Sequence, residues 1–259
     1  MKVLITGSKG FIGKNLISFL KNKNDFEILE FNKNNAINSL EKKLLKSDFI
    51  VHLAGINRTN NQQLFQDVNV KLTESICTIL IKNSLKIPVF FTSSTQVSKS
   101  NEYGKSKLKG EKILRKLNNL NNNPVYIYRL PGIFGKWCKP NYNSVVATFC
   151  YNILNNLEIK VFDTKEEIKL IYIDDFIKDL SLQFSNLIDG FHFCEVKPQY
   201  SISVNELAET IKKFKESENN LKLDKIGKGF LKKLFATYCS YETKKNSSYL
   251  LNKNTDHRG

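Results

Sequence analysis

Apolar residues in this chain fall alternately into short, mostly apolar runs and into stretches with the three-to-four spacing of an amphipathic helix. Runs at 3–6, 26–31, 49–53, 89–92 and 125–130 predict successive strands, and the periodic stretches between them predict helices near 11–21, 39–46, 64–83 and 103–120. Strand and helix taking turns in this way predicts an α/β fold built on a doubly wound parallel sheet. The asparagine-rich segment 118–123, closed by Pro124, supplies a helix stop and a turn.

Beyond Pro131 the pattern loosens. It predicts a helix over 145–155, strands near 159–162 and 168–173, and a helix over 175–184. Ser203-Val-Asn-Glu206 has the form of a capping box and opens a helix over 204–214, and a last helix is expected over 229–241. No internal repeat breaks this order.

Two local features bring chemistry to the frame. The first strand runs into Gly7-Ser8-Lys9-Gly10-Phe11-Ile12-Gly13, with glycines spaced G-x-x-G-x-x-G between a β-branched strand and an amphipathic helix. That context points free backbone N–H groups at the pyrophosphate of a dinucleotide. Further on, Tyr103 and Lys107 stand at the i, i+4 spacing, a phenol and an ammonium on one helix face. A tyrosine is a poor proton donor or acceptor at neutral pH, with an ordinary pKa of about 10. At an effective dielectric of about 20, a nearby ammonium is expected to bring it down by roughly two or three units. A dinucleotide cradle followed by a polarised tyrosine is equipment for moving hydride and proton at a carbonyl or alcohol carbon.

With Leu53-Ala54-Gly55 after the third strand and Asn69 in Asp-Val-Asn-Val, these residues resemble the extended branch of the short-chain dehydrogenase/reductase family, from Met1 to about Tyr241. The resemblance implies a Rossmann sheet, with a cofactor core mainly over 1–135 and a smaller, interleaved substrate lobe mainly over 136–241. It makes Tyr103 the proton donor for ketone reduction, lets Lys107 lower its pKa and bond the nicotinamide ribose, and extends the cofactor contacts to Thr92, Pro131 and Ile133. Thr92-Ser93-Ser94-Thr95 puts small hydroxyls at the carboxyl edge of the sheet, where ligands bind in such folds. By the family pattern Ser94 holds the substrate oxygen, with Thr95 the other candidate.

A narrower resemblance runs through Arg129 to Cys150 and through Tyr172-Ile-Asp-Asp175, to members that reduce UDP-4-keto-6-deoxy sugars in UDP-N-acetyl-L-fucosamine synthesis for bacterial capsule and O-antigen. It implies a UDP-sugar substrate and a homodimer. Arg129 and Lys136 are then candidates for phosphate oxygens, Trp137 and Tyr142 for the faces of a sugar or uracil, Asn143 for its edge and Arg58 for the sugar. Thr95-Gln96 stands where dehydratases of the family carry an acid pair, which argues against dehydration. An epimerase of the same fold, or a non-catalytic NADP-binding regulator, remains the alternative. The tail over 242–259 ends in Asp256-His-Arg-Gly259, which is similar to the opening of a cupin-like metal-binding domain in the resembled bifunctional enzymes. We expect that domain to be absent here, with a cupin epimerase acting in trans.

The cofactor's ribose is read at the end of the second strand. Asn32 and Lys33 at the tip, with Lys9 in the glycine turn, favour the 2′-phosphate of NADP(H), while Glu30 keeps NAD open. Composition changes little of this. With 259 residues, 41% of them hydrophobic, the chain has ample material for a core. A net charge of +15 invites a nucleic-acid reading, but the lysines are spread along the chain without a binding motif, so no nucleic acid is expected. Five cysteines without C-x-x-C spacing read as buried reduced thiols of a cytoplasmic protein. No apolar run predicts membrane insertion, His52 and His192 read as core residues, and no His/Cys cluster has metal-ligand spacing.

Overall fold

The computed structural model describes residues 1–161, 167–219 and 228–242. Its main sheet has six parallel strands: β1 (Lys2–Thr6), β2 (Glu27–Phe31), β3 (Phe49–His52), β4 (Val89–Ser94), β5 (Val125–Leu130) and β8 (Phe191–Cys194), in the order β2-β1-β3-β4-β5-β8. Between the early strands run α1 (Phe11–Lys21), α2 (Asn38–Leu44), α3 (Lys71–Lys82) and α4 (Glu102–Asn121). A smaller sheet joins β6 (Gly132–Phe134) in parallel to β7 (Glu167–Tyr172), which pairs antiparallel with β9 (Tyr200–Ser203). Around it lie α5 (Val145–Leu154), α7 (Val204–Asn219) and α8 (Phe230–Cys239), while α6 (Ile173–Gln183) follows β7 and packs beside α1 on the larger sheet.

Alternation along the strands divides the core in two. On one face Val3, Ile5, Phe90, Tyr126 and Tyr128 pack beneath α1 and α6; on the other Leu4, Ile50, Phe91, Val125 and Ile127 pack beneath α3 and α4. A third cluster, with Phe134, Phe149, Leu207 and Tyr238, belongs to the smaller sheet and its helices. The doubly wound parallel sheet expected from the pattern is the one observed.

Several expectations shift. The helix foreseen over 64–83 starts as a π-helix, Phe65–Val70, before continuing as α3. The strand foreseen near 159–162 is irregular over 159–161, and Phe162 lies outside the described residues, as do His257 and the tail from 243 on. The helix expected from Asp175 begins at Ile173. Three short strands, β6, β8 and β9, were not foreseen. The capping box forms: Ser203 N–H donates to Glu206 Oε2 at 3.2 Å and Glu206 N–H to Ser203 Oγ at 3.2 Å.

Candidate active site

The glycine turn is packed to its limit. Gly7 has a φ of +70°, and a Cβ on Gly13 would lie 2.5 Å from Gly7 O and 2.7 Å from Ser8 O. Only hydrogen side chains let α1 start this close to the end of β1, which leaves the first amides of the helix directed at the sheet's carboxyl edge. Gly7 N–H donates to Phe31 O at 2.8 Å and so fixes the turn against β2. Ser8 is 1% exposed, and its hydroxyl has no partner among the described residues.

A cleft of about 680 Å³ opens above this turn, with Gly7, Lys9 and Gly10 on one side, Asn32 and Lys33 at the end of β2, and Ala54 and Gly55 after β3. Ile37, Leu53 and Leu72 give it an apolar wall. Glu30 does not reach it; that side chain lines a separate groove along α1 with Lys14 and Lys21. A tight glycine turn, an unpartnered buried hydroxyl and an apolar pocket rimmed by lysines fit a phosphate-bearing dinucleotide.

Its floor is fixed by a buried chain of polar groups. Ala54 N–H donates to Thr6 Oγ1 (3.2 Å), Thr6 Oγ1 lies 2.7 Å from His52 Nδ1, His52 Nε2 lies 2.9 Å from Thr73 Oγ1, and Thr73 donates to Asn69 O (2.8 Å). Thr73's hydroxyl proton is committed to Asn69, so His52 carries its proton on Nε2 and accepts from Thr6 on Nδ1. Burial, with Lys107 adding to it, depresses the His52 pKa to about 3, and the ring stays neutral. Asn69 grips both backbone groups of Ile56 (2.8 and 2.9 Å) and also donates to Ser106. It therefore shapes the Ala54-Gly55-Ile56 segment and has no amide hydrogen left over for a direct cofactor contact.

Tyr103 and Lys107 enter from α4, whose N-terminus is capped by Asn101 Oδ1 accepting from Gly104 N–H at 2.8 Å. The phenol comes close to Ser94 at the end of β4 and packs against Phe65 of the π-helix at 6.1 Å between ring centres. Burial raises the Tyr103 pKa, and the nearby Ser94 hydroxyl only partly offsets this. That corrects the expectation of a phenol acidified by Lys107. The ammonium donates instead to Thr92 O at 2.9 Å and lies 4.8 Å from the Phe91 ring centre. Fully enclosed, it has its own pKa lowered by burial to about 8, with Glu111 opposing the fall. A Cβ on Gly55 would sit 3.1 Å from Lys107 Nζ, so that glycine makes room for the ammonium beside the cleft. Pro131 follows Leu130 of β5, which pairs with Ser94, and Ile133 is partly buried against the core cluster that includes α1.

The expected substrate residues are not gathered in one place. Arg58 Nη1 donates to Tyr142 O (2.7 Å) and Tyr142 Oη donates to Arg58 O (3.2 Å), a reciprocal latch between two loops with exposed Asn143 beside it. Lys136 and Trp137 lie elsewhere, because Asn15 of α1 donates to Lys136 O at 3.1 Å and draws that segment over the helix. Trp137, half exposed at a φ of 68°, lines the α1 groove with Ser8 and Lys9. Arg129 is a clear correction. Odd positions of β5 face α4, so its guanidinium is directed away from the cleft and binds Glu111 at 3.0 and 2.6 Å. Phe65, Ser93, Ser106 and Glu111 were missed; for Glu111 the signal was its place four residues after Lys107. Among the described residues no three His, Cys, Asp or Glu side chains are grouped to hold a metal, and no helix is long and apolar enough to cross a membrane.

Comparison with known proteins meets this geometry at the glycine turn and runs well past α4: residues 3–186 match the model of the NAD dependent epimerase/dehydratase family. The chain belongs to that family. It is 39% identical over 259 residues, all of this chain and 70% of the relative, to the UDP-2-acetamido-2,6-beta-L-arabino-hexul-4-ose reductase of Pseudomonas aeruginosa. The crystal structure of capsular polysaccharide assembling protein CapF from Staphylococcus aureus superposes with a TM-score of 0.84 at 40% identity, covering 96% of this chain and 67% of that one. This chain thus spans about two thirds of the length of either relative. A more distant solved structure, UDP-glucuronic acid 4-epimerase from Bacillus cereus in complex with NAD, shares the fold at 18% identity, with a TM-score of 0.77 over 93% of this chain and 100% of that one.

Proposed function

We propose that this chain is an NADPH-dependent reductase. It acts on the C4 ketone of a UDP-2-acetamido-2,6-dideoxyhexos-4-ulose and gives a UDP-N-acetyl-6-deoxy-talosamine-type product in UDP-N-acetyl-L-fucosamine synthesis. The observation that carries the reading is the 39% identity, along the whole chain, to a reductase of such a sugar. The meeting of Ser94, Tyr103 and Lys107 beside a dinucleotide-shaped cleft supports it.

NADPH, when bound, supplies the hydride. The amides of the glycine turn and the start of α1 hold its pyrophosphate, Lys33, Asn32 and Lys9 take the 2′-phosphate, and Lys107 bonds the nicotinamide ribose. Ser94 hydrogen-bonds the ketone oxygen and Tyr103 delivers the proton to it. A raised pKa suits this direction of reaction, because the phenol stays protonated until charge develops on that oxygen. Arg58 and Tyr142, latched to one another, contact the sugar nucleotide.

The test is to incubate the protein with NADPH and a panel of UDP-4-keto-6-deoxy sugars, including the C3-epimerised ketone, while following reduced-nicotinamide absorbance. Stoichiometric loss of NADPH with one of them is the expected result. Conversion of a sugar without NADPH loss would instead make the protein an epimerase, and NADP binding without turnover on any sugar would make it a regulator.

A further inference from the structure

Behind the catalytic face of α4 lies a buried carboxylate that the proposed reaction does not use. Tyr103, Lys107 and Glu111 follow each other at successive i, i+4 positions, so the helix stacks phenol, ammonium and carboxylate along one stripe. Glu111 is 4% exposed. Its Oε1 accepts from Ser93 Oγ at 2.5 Å and from Arg129 Nε at 3.0 Å, and its Oε2 accepts from Arg129 Nη2 at 2.6 Å. Three donors, two of them from one bidentate guanidinium, engage both oxygens of this carboxylate and pair it with Arg129. Arg129 is held in turn by the ring of Phe193, 4.4 Å from its guanidinium carbon. Ser93 and Ser94 are consecutive on β4 and point to opposite faces, so one bonds Glu111 while the other meets Tyr103.

We propose that Glu111, clamped by Ser93 and Arg129, is a positioning residue of the active site: its buried negative charge, one turn beyond Lys107, keeps that ammonium charged, and its bond to Ser93 fixes the Ser94 end of β4 against α4. The proposal rests on the assignment of Tyr103 and Lys107 to the reaction. Lys107 faces Glu111 on its own helix and His52 on β3, with Arg129 of β5 behind the carboxylate. His52 is neutral, which leaves Glu111 as the anion among these groups.

The deciding experiment titrates Lys107 in the free protein, by NMR of lysine labelled with carbon-13 at Cε, the signal being assigned by its loss in Lys107→Met. In Glu111→Gln the midpoint should fall by about one pH unit, the low end of the effect of a close opposite charge. Glu111→Gln/Arg129→Gln replaces the ion pair with a neutral amide pair, an exchange that such sites tolerate. It should show a fall of the same sign, and it decides the matter if the single variant does not fold. With substrate, the alkaline limb of kcat should move down in pH with the lysine midpoint. An unchanged midpoint in a folded variant overturns the proposal even if the protein reduces its ketone. A lowered midpoint upholds the electrostatic link even if no ketone is reduced, in which case the reductase reading fails separately.

Discussion

Replacing Lys107 with methionine should make this protein more stable at neutral pH while removing its activity. The enclosed ammonium titrates at about 8 in the fold, against an ordinary 10.5. At about 1.4 kcal/mol per unit this corresponds to roughly 3 kcal/mol that the charged side chain costs the folded state. Methionine fills similar space and carries no charge, but it abandons the Thr92 carbonyl, which Lys107 reaches at 2.9 Å. Losing that bond costs about 1 kcal/mol, so the net gain is roughly 2 kcal/mol. The sign depends on pH. Between about 8 and 10.5 the unfolded wild type holds a proton that the folded wild type has released, so its stability rises through this window. The advantage of Lys107→Met is therefore full below pH 8, shrinks above it, and reverses by about pH 10. Urea unfolding of both proteins across this range measures the difference, and other alkaline titrations largely cancel between them. A variant less stable than wild type at pH 7 with an unchanged m-value would refute the reasoning, because the ammonium would then be a net stabilising group in its pocket.

Two further outcomes test the proposed reaction. Tyr103→Phe keeps the ring contact with Phe65 and removes the proton donor, so turnover should drop by about 10² to 10⁴ while NADPH affinity stays near wild type; more than about a tenth of the activity remaining would take the proton donor away from Tyr103. Lys33→Asp, at the exposed tip after β2, should shift the ratio of NADPH to NADH efficiency towards NADH, and an unmoved ratio would transfer the 2′-phosphate contact to Lys9.

What could be read from the sequence was what is local. The glycine turn and the Tyr103–Lys107 spacing are fixed by a few neighbouring residues, and the early strands are short, mostly apolar runs, so both were legible before any tertiary contact was known. The short strands β6, β8 and β9 exist because distant segments pair with them: Phe191–Cys194 is a strand by virtue of lying against β5. Arg129 was misplaced because its role was taken from the resemblance and not from its position within the predicted strand over 125–130. Counting alternation from Val125 puts it on the α4 side, where Glu111 waits. Lys136 and Trp137 follow a single long-range bond to Asn15, which no periodicity announces. Tyr103's pKa was misjudged because spacing along a helix does not say which way an ammonium turns, and this one turns to Thr92.

The route of the chain between the two sheets bears on how the molecule can be divided. From β5 it steps across Pro131 into β6, stays with the smaller sheet through β7, returns to the larger one as β8, and leaves again for β9. A cut near residue 135, which looks natural on paper, would strip β5 of its outer neighbour and leave Val125, Ile127 and Tyr128 beside an open edge. The remaining piece would lack the strand that completes the first sheet, and the removed piece would carry a lone parallel strand with nothing to pair with. Exchanging the second half of the chain between relatives therefore calls for exchanging loops on an intact frame, since neither half is a transplantable module.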